Sequence, residues 1–94
     1  LKLVRDRIPE IIRKNGKSPA THIASEQEFR HALAEKLLEE AREFQGNPSA
    51  EELADVLEVT RALAELHGKD LVEAVRKKKA EERGTFTKRI ILHP

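Results

Sequence analysis

Two acidic motifs around a tight turn constrain this chain more than any other feature. Glu39-Glu40-Ala41-Arg42-Glu43 precedes the connector Gln45-Gly46-Asn47-Pro48, and Glu52-Leu53-Ala54-Asp55 follows it. Gly, Asn and Pro in the connector predict a chain reversal, so two flanking helices would return antiparallel. Both flanks carry helix signals. Ser25 followed by Glu28 is a capping box that opens a helix from Glu26 to Phe44. Ser49 followed by Glu52 opens a second helix reaching His67, with Gly68 as its C-terminal cap. In a symmetric hairpin, residues equidistant from the turn share a height, so Glu43 faces Glu52 and Glu40 faces Asp55. At 1.5 Å of rise per residue these levels are about 4.5 Å apart. Four carboxylates are therefore expected on one patch.

Helical angles separate placed carboxylates from solvated ones. At about 100° per residue, Leu33, Leu37, Ala41 and Phe44 form an apolar stripe. Glu40 lies on its edge, Glu43 beside it, and Glu39 points away. On the second helix the apolar arc holds Leu53, Val56, Leu57, Val59, Leu63, Ala64 and Leu66. Glu52 falls inside this arc and Asp55 at its margin, whereas Glu51, Glu58, Glu65 and Arg61 read as solvated charges on the opposite side. The arc spans about 180°, wider than the stripe of about 100° that suffices to cover a core on one side. Packing on two sides is expected, and with it a homo-oligomer, either a dimer or a dimer of dimers.

The remaining signals place a short helix within Val4–Lys14, starting at Pro9, and a further helix capped by Asp70 and stopped by Gly84. Phe86–Leu92 is β-prone and is expected to pair with Thr21–Ala24 as a small two-stranded element. The expected fold is all-α, a single domain over residues 1–94, with the antiparallel hairpin forming a four-helix bundle with a partner subunit.

Charged residues make up 37% of the chain, but their signs are mixed and the net charge is only +1. No global field draws it to nucleic acid or membrane, and neither is expected as a partner. No apolar run reaches the length of a membrane span and no signal-peptide pattern opens the chain, so a cytoplasmic location is expected. The absence of cysteine removes disulfides and thiolate ligands.

Taken alone, Glu52 is best read as the reciprocal half of its capping box, and Glu40, Glu43 and Asp55 as surface charges. The combination points elsewhere. Buried, unpaired carboxylates are costly, and a bound cation makes a cluster of them tolerable. All-oxygen ligation favours a hard divalent ion, Mg²⁺ or alternatively Mn²⁺, and the four histidines are scattered away from the acids. A carboxylate cluster and a triphosphate are both anionic, so cations would bridge them and polarise a phosphorus. A spare carboxylate could orient or deprotonate the attacking water. Phosphate oxygens would meet Lys36, one turn before Glu40 on the same side, together with Arg83 and Arg89 near Gly84. The Arg76–Lys79 run reads as a solvated helix face. Walker-type glycine loops, nucleophile elbows and Rossmann fingerprints are all missing.

The E-E-x-x-E plus E-x-x-D arrangement resembles the all-α nucleoside triphosphate pyrophosphohydrolases, the MazG-like superfamily. The opening Lys2-Leu3-Val4-Arg5-Asp6-Arg7-Ile8-Pro9-Glu10-Ile11-Ile12 and the closing Lys79–Ile90 stretch are similar to a small phosphoribosyl-ATP pyrophosphohydrolase-like branch. This resemblance implies Mg²⁺-dependent cleavage between the α and β phosphates of a nucleotide, giving a monophosphate and pyrophosphate. It implies Glu40, Glu43, Glu52 and Asp55 as ligand and catalytic positions, with Glu39 matching the first acid of the motif. The reading that follows is a house-cleaning enzyme acting on surplus or non-canonical triphosphates. Its alternatives are a phosphoribosyl-ATP pyrophosphohydrolase of histidine biosynthesis and a non-catalytic helical dimer that binds metal or nucleotide.

Overall fold

The computed structural model describes residues 1–94 and contains four helices and no strand. They are α1 (Ile8–Lys14), α2 (Glu26–Gly46), α3 (Ala50–His67) and α4 (Lys69–Arg83). The chain divides into two compact units, Leu1–Leu63 and Ala64–Pro94. No helix is long and apolar enough to cross a membrane.

In the first unit, residues before Asp6 have no regular structure and lead through a turn at Asp6–Arg7 into α1. Pro9 sits in the first turn of α1, where its missing N–H has no intrahelical partner to lose. Asn15 ends the helix, and Gly16 follows at φ +82°, a left-handed conformation that glycine adopts without steric cost. Both predicted capping signals place their helices. The Ser25 hydroxyl accepts from the Glu28 N–H at 3.2 Å, and the Ser49 hydroxyl from the Glu52 N–H at 3.2 Å. Only this forward half of each box forms. The Glu28 carboxylate turns instead to the His22 ring nitrogen at 3.0 Å.

Helix α2 runs beyond its predicted end at Phe44, because the Asn47 N–H still bonds back to the Glu43 and Phe44 carbonyls. Only Asn47, Pro48 and Ser49 are left to reverse the chain, so α3 returns along α2. The buried face of α2 also differs from the predicted stripe. Leu33 is the core residue at 3% exposure and Glu40 is next at 7%, whereas Ala41 is exposed. Seven residues bring a side chain to within about 20° of its starting direction, and an eighth carries it roughly 80° past. The inward line is therefore Leu33, Leu37, Glu40 and Phe44, with a carboxylate in its middle.

In the second unit, the last turn of α3 and the start of α4 are separated by Gly68 alone, which takes φ +95° and serves as the N-cap of α4. This corrects the expected cap: α4 begins at Lys69, so Asp70 lies within its first turn and caps nothing, although its charge still suits the helix N-terminus. Gly84, at φ +84°, ends α4 as expected. The predicted two-stranded element is absent. A turn at Phe86–Arg89, closed by the Arg89 N–H on the Phe86 carbonyl at 3.2 Å and leaving Arg89 at φ +54°, interrupts the extended run that pairing requires. Phe86, Ile90, Ile91 and Leu92 are exposed, as is Ile23 in the proposed partner strand.

Candidate metal centre

The short turn and the capped start of α3 bring three of the predicted carboxylates together. One oxygen each from Glu40, Glu52 and Asp55 lies within 4.8 Å of the other two. Glu40 and Asp55 also border one cavity with Lys36 and Val59, and with Leu33 and Ala62 further from the turn. Residues of α2 and α3 thus recede from the turn in step, as the height rule for an antiparallel hairpin requires. The predicted pairing of Glu40 with Asp55 is observed.

The local chemistry is that of a site short of positive charge. Glu40 is almost fully buried, and its Oε2 has no hydrogen-bond partner. The Glu52 Oε2 is likewise buried and unpartnered. Burial pushes the Glu40 carboxyl up from the usual carboxylate range, and the Glu43 and Asp55 charges push the same way. Lys36, only 17% exposed, sets its ammonium 3.5 Å from the Glu40 carboxylate and opposes the shift without cancelling it. A buried carboxylate oxygen without a donor costs free energy that a cation recovers. Adjacent oxygens of an octahedral Mg²⁺ shell are about 3 Å apart and opposite ones about 4 Å, so three oxygens within 4.8 Å of one another need only small side-chain shifts to meet one hard divalent ion.

The other predicted residues take distinct places. Glu43 is exposed and outside the trio, yet close enough for its charge to act on Glu40. Glu39 does not join the site: Lys2 holds it at 3.1 Å and Lys36 at 3.5 Å, and the Lys2 contact draws its carboxyl below the usual range. Glu52 does not complete its capping box, since its N–H is engaged by Ser49 while its buried oxygen is left free. Arg83 and Arg89 belong to the second unit, at the end of α4 and just beyond it.

That cavity has a volume of about 570 Å³, within the range of small-molecule sites. Leu3, Val4, Phe29, Leu33, Val59 and Ala62 supply apolar wall. Glu40 and Asp55 form its acidic edge, and Arg5, Arg7 and Lys36 are its basic members. Glu58, read from the angles as a solvated charge, is exposed but also borders this space. Sequence reasoning missed Arg5 and Arg7 as site residues. Arg5 donates to the Asp55 carboxylate at 2.8 Å across 50 positions of sequence. The available signal was the cationic run Lys2–Arg7 ahead of Pro9, which is part of the family-like opening.

Comparison with known proteins adds a partial likeness. A Mycolicibacterium smegmatis protein described only as uncharacterized is 50% identical over 42 residues. These make up 45% of this chain and 43% of that protein, so the chain spans less than half the length of the relative it matches. No family model matches the chain, and no solved structure gives a significant match.

Proposed function

We propose that this chain is a Mg²⁺-dependent nucleotide pyrophosphohydrolase, with Mn²⁺ able to substitute, that cleaves the α–β phosphate bond of a nucleoside triphosphate. The observation that carries the reading is the buried, unpartnered oxygen of Glu40 inside a three-carboxylate cluster beside a cavity of about 570 Å³. The choice of bond rests on the resemblance of the two acidic motifs to MazG-like enzymes. Glu40, Glu52 and Asp55 hold the cation, which when bound neutralises phosphate charge and makes the phosphorus more electrophilic. Glu43, exposed beside them, is the carboxylate left to accept a proton from water. Arg7 and Lys36 offer positive charge to the phosphate chain, while Phe29, Leu33 and Val59 provide an apolar surface for the rest of the nucleotide.

A panel of nucleotides assayed with Mg²⁺ is expected to yield pyrophosphate and a monophosphate from at least one member, and nothing once the ion is chelated. Orthophosphate released from the γ position would make the assigned reaction wrong. Turnover confined to phosphoribosyl-ATP would move the enzyme to the biosynthetic role. Metal-dependent binding without any turnover would leave a helical nucleotide-binding protein.

The active form is proposed to be a homodimer or a dimer of dimers, completing a four-helix bundle. Leu38 on α2 and Leu53 and Leu57 on α3 are each more than half exposed in the first unit. Leu38 and Leu57 are equidistant from the turn, so they stand at one height of the hairpin. This is the second side of the wide α3 arc, and a partner hairpin would cover it. Light scattering at micromolar concentration should give at least twice the 10.7 kDa chain mass. A well-folded monomer would rule the bundle out.

A further inference from the structure

We propose that Arg5 is an exchangeable counter-ion, which holds Asp55 in the ligand-free protein and turns to the phosphate chain of a nucleotide when a divalent cation takes Asp55. The inference rests on the proposed metal site and adds a residue with two successive partners. The guanidinium of Arg5 donates to the Asp55 carboxylate at 2.8 Å, so the carboxylate that a metal needs is already engaged by a cation from the chain itself. The pair is not a buried structural tie. The two side chains are 57% and 42% exposed, and an ion pair so open to water adds little to folding and is readily exchanged.

Charge balance gives the exchange its direction. Against the carboxylates of Glu40, Glu43, Glu52 and Asp55 stand Lys36 and Arg5 in direct contact, with Lys2 acting on Glu40 and Glu43 from further off, which still leaves net negative charge for a divalent ion to offset. A divalent ion beside Asp55 repels the guanidinium and competes for the same oxygen. The displaced side chain does not have to leave the site, because Arg5 and Arg7 both border the cavity that Asp55 borders. A planar fork of donors suits a phosphate as well as it suits a carboxylate. Lys2 adds positive charge near Glu40 and Glu43, but its direct contact is with Glu39, outside the metal trio, so it does not compete for Asp55.

The consequence is a change of opposite sign in two affinities. Arg5→Ala should bind Mn²⁺ alone about two- to fivefold more tightly than the unaltered protein, because the competing cation is gone. The same variant, saturated with Mn²⁺, should bind the non-hydrolysable probe bis(methylene)triphosphonate about tenfold or more weakly, since a charge-assisted contact to phosphate is lost. Arg5→Lys, which keeps the charge without the fork, should return Mn²⁺ affinity to the original value and recover part of the probe affinity. Both affinities can be read by electron paramagnetic resonance of free Mn²⁺ and by calorimetry, with thermal melts showing that the variants remain folded. Unchanged or weaker Mn²⁺ binding by Arg5→Ala, with the original protein binding Mn²⁺ normally, overturns the exchange and leaves the metal site standing. Tighter Mn²⁺ binding with undiminished probe affinity overturns the phosphate half. Absence of Mn²⁺ binding by every form overturns the metal site, and the exchange with it.

Discussion

Glu52→Gln is expected to lower pyrophosphate release about a hundredfold or more, equivalent to roughly 2.7 kcal/mol of transition-state stabilisation. The substitution keeps the side-chain shape and leaves the Ser49 hydroxyl free to accept from the residue 52 N–H, the bond that starts α3. What it removes is one negative charge from an oxygen that is buried and has no donor. A residue that served only to cap α3 would give the opposite pattern, a stability loss of about 1 kcal/mol or less with activity nearly intact. Glu51→Gln is the control. Glu51 lies in the same first turn, is exposed and is outside the trio, so its replacement should change activity by less than about twofold. Glu58 cannot serve that purpose, because it borders the cavity. Equal losses from the Glu51 and Glu52 changes would falsify the site assignment.

The second large effect is on stability. Mn²⁺ at a hundredfold excess over its Kd should stabilise the protein by about 2.7 kcal/mol. In a domain of this size that is a rise in melting temperature of roughly 10–20 °C. Glu40→Gln should abolish most of this rise while making the metal-free protein more stable at neutral pH. The sign follows from the raised Glu40 pKa. The folded protein holds a proton on Glu40 more tightly than the unfolded chain does. The stabilisation from this proton is complete below the unfolded pKa and is lost as pH climbs through the folded one. As pH rises the metal-free protein therefore loses this stabilisation, whereas the uncharged glutamine variant has no such loss. Melting curves at pH 5 and pH 7.5, with and without Mn²⁺, should show the metal effect growing with pH in the original protein and nearly absent from Glu40→Gln. A metal-free Glu40→Gln protein less stable than the original at pH 7.5 would mean that Lys36 pairs with Glu40 well enough to make an ion unnecessary.

Much of the α2–α3 hairpin follows from local chemistry. Ser25 and Ser49 accept from backbone donors three residues on, and a single turn of helix is enough to specify such a cap. Asn47-Pro48 leaves the chain no route except reversal, and reversal at a known place sets which heights oppose each other. That is why Glu40 and Asp55 could be paired from their numbers alone, and why Glu39 could be set apart from them.

The departures come from contacts that local pattern does not encode. The buried line on α2 passes through Glu40 and not Ala41, because helix geometry ranks a seven-residue return above an eight-residue one even when the closer residue is charged. Hydrophobicity counted residue by residue favours alanine there. The β-prone Phe86–Leu92 run had the right residue types, but strand propensity needs a partner edge, and a turn with Arg89 left-handed breaks the run before one can form. Asp70 lost its cap because Gly68 accomplishes both the end of α3 and the start of α4 within one residue. The Arg5–Asp55 pair is the plainest case. Its members are separated by 50 positions, and an ion pair between exposed side chains leaves no periodicity, cap or turn signal to read. The sequence by itself determined the helices, their reversal and the level at which the acids meet, since each depends on neighbours within a turn or two. Only the tertiary structure decided how deeply Glu40 is buried and which cation stands beside Asp55, because both depend on which distant surfaces come to share one cavity.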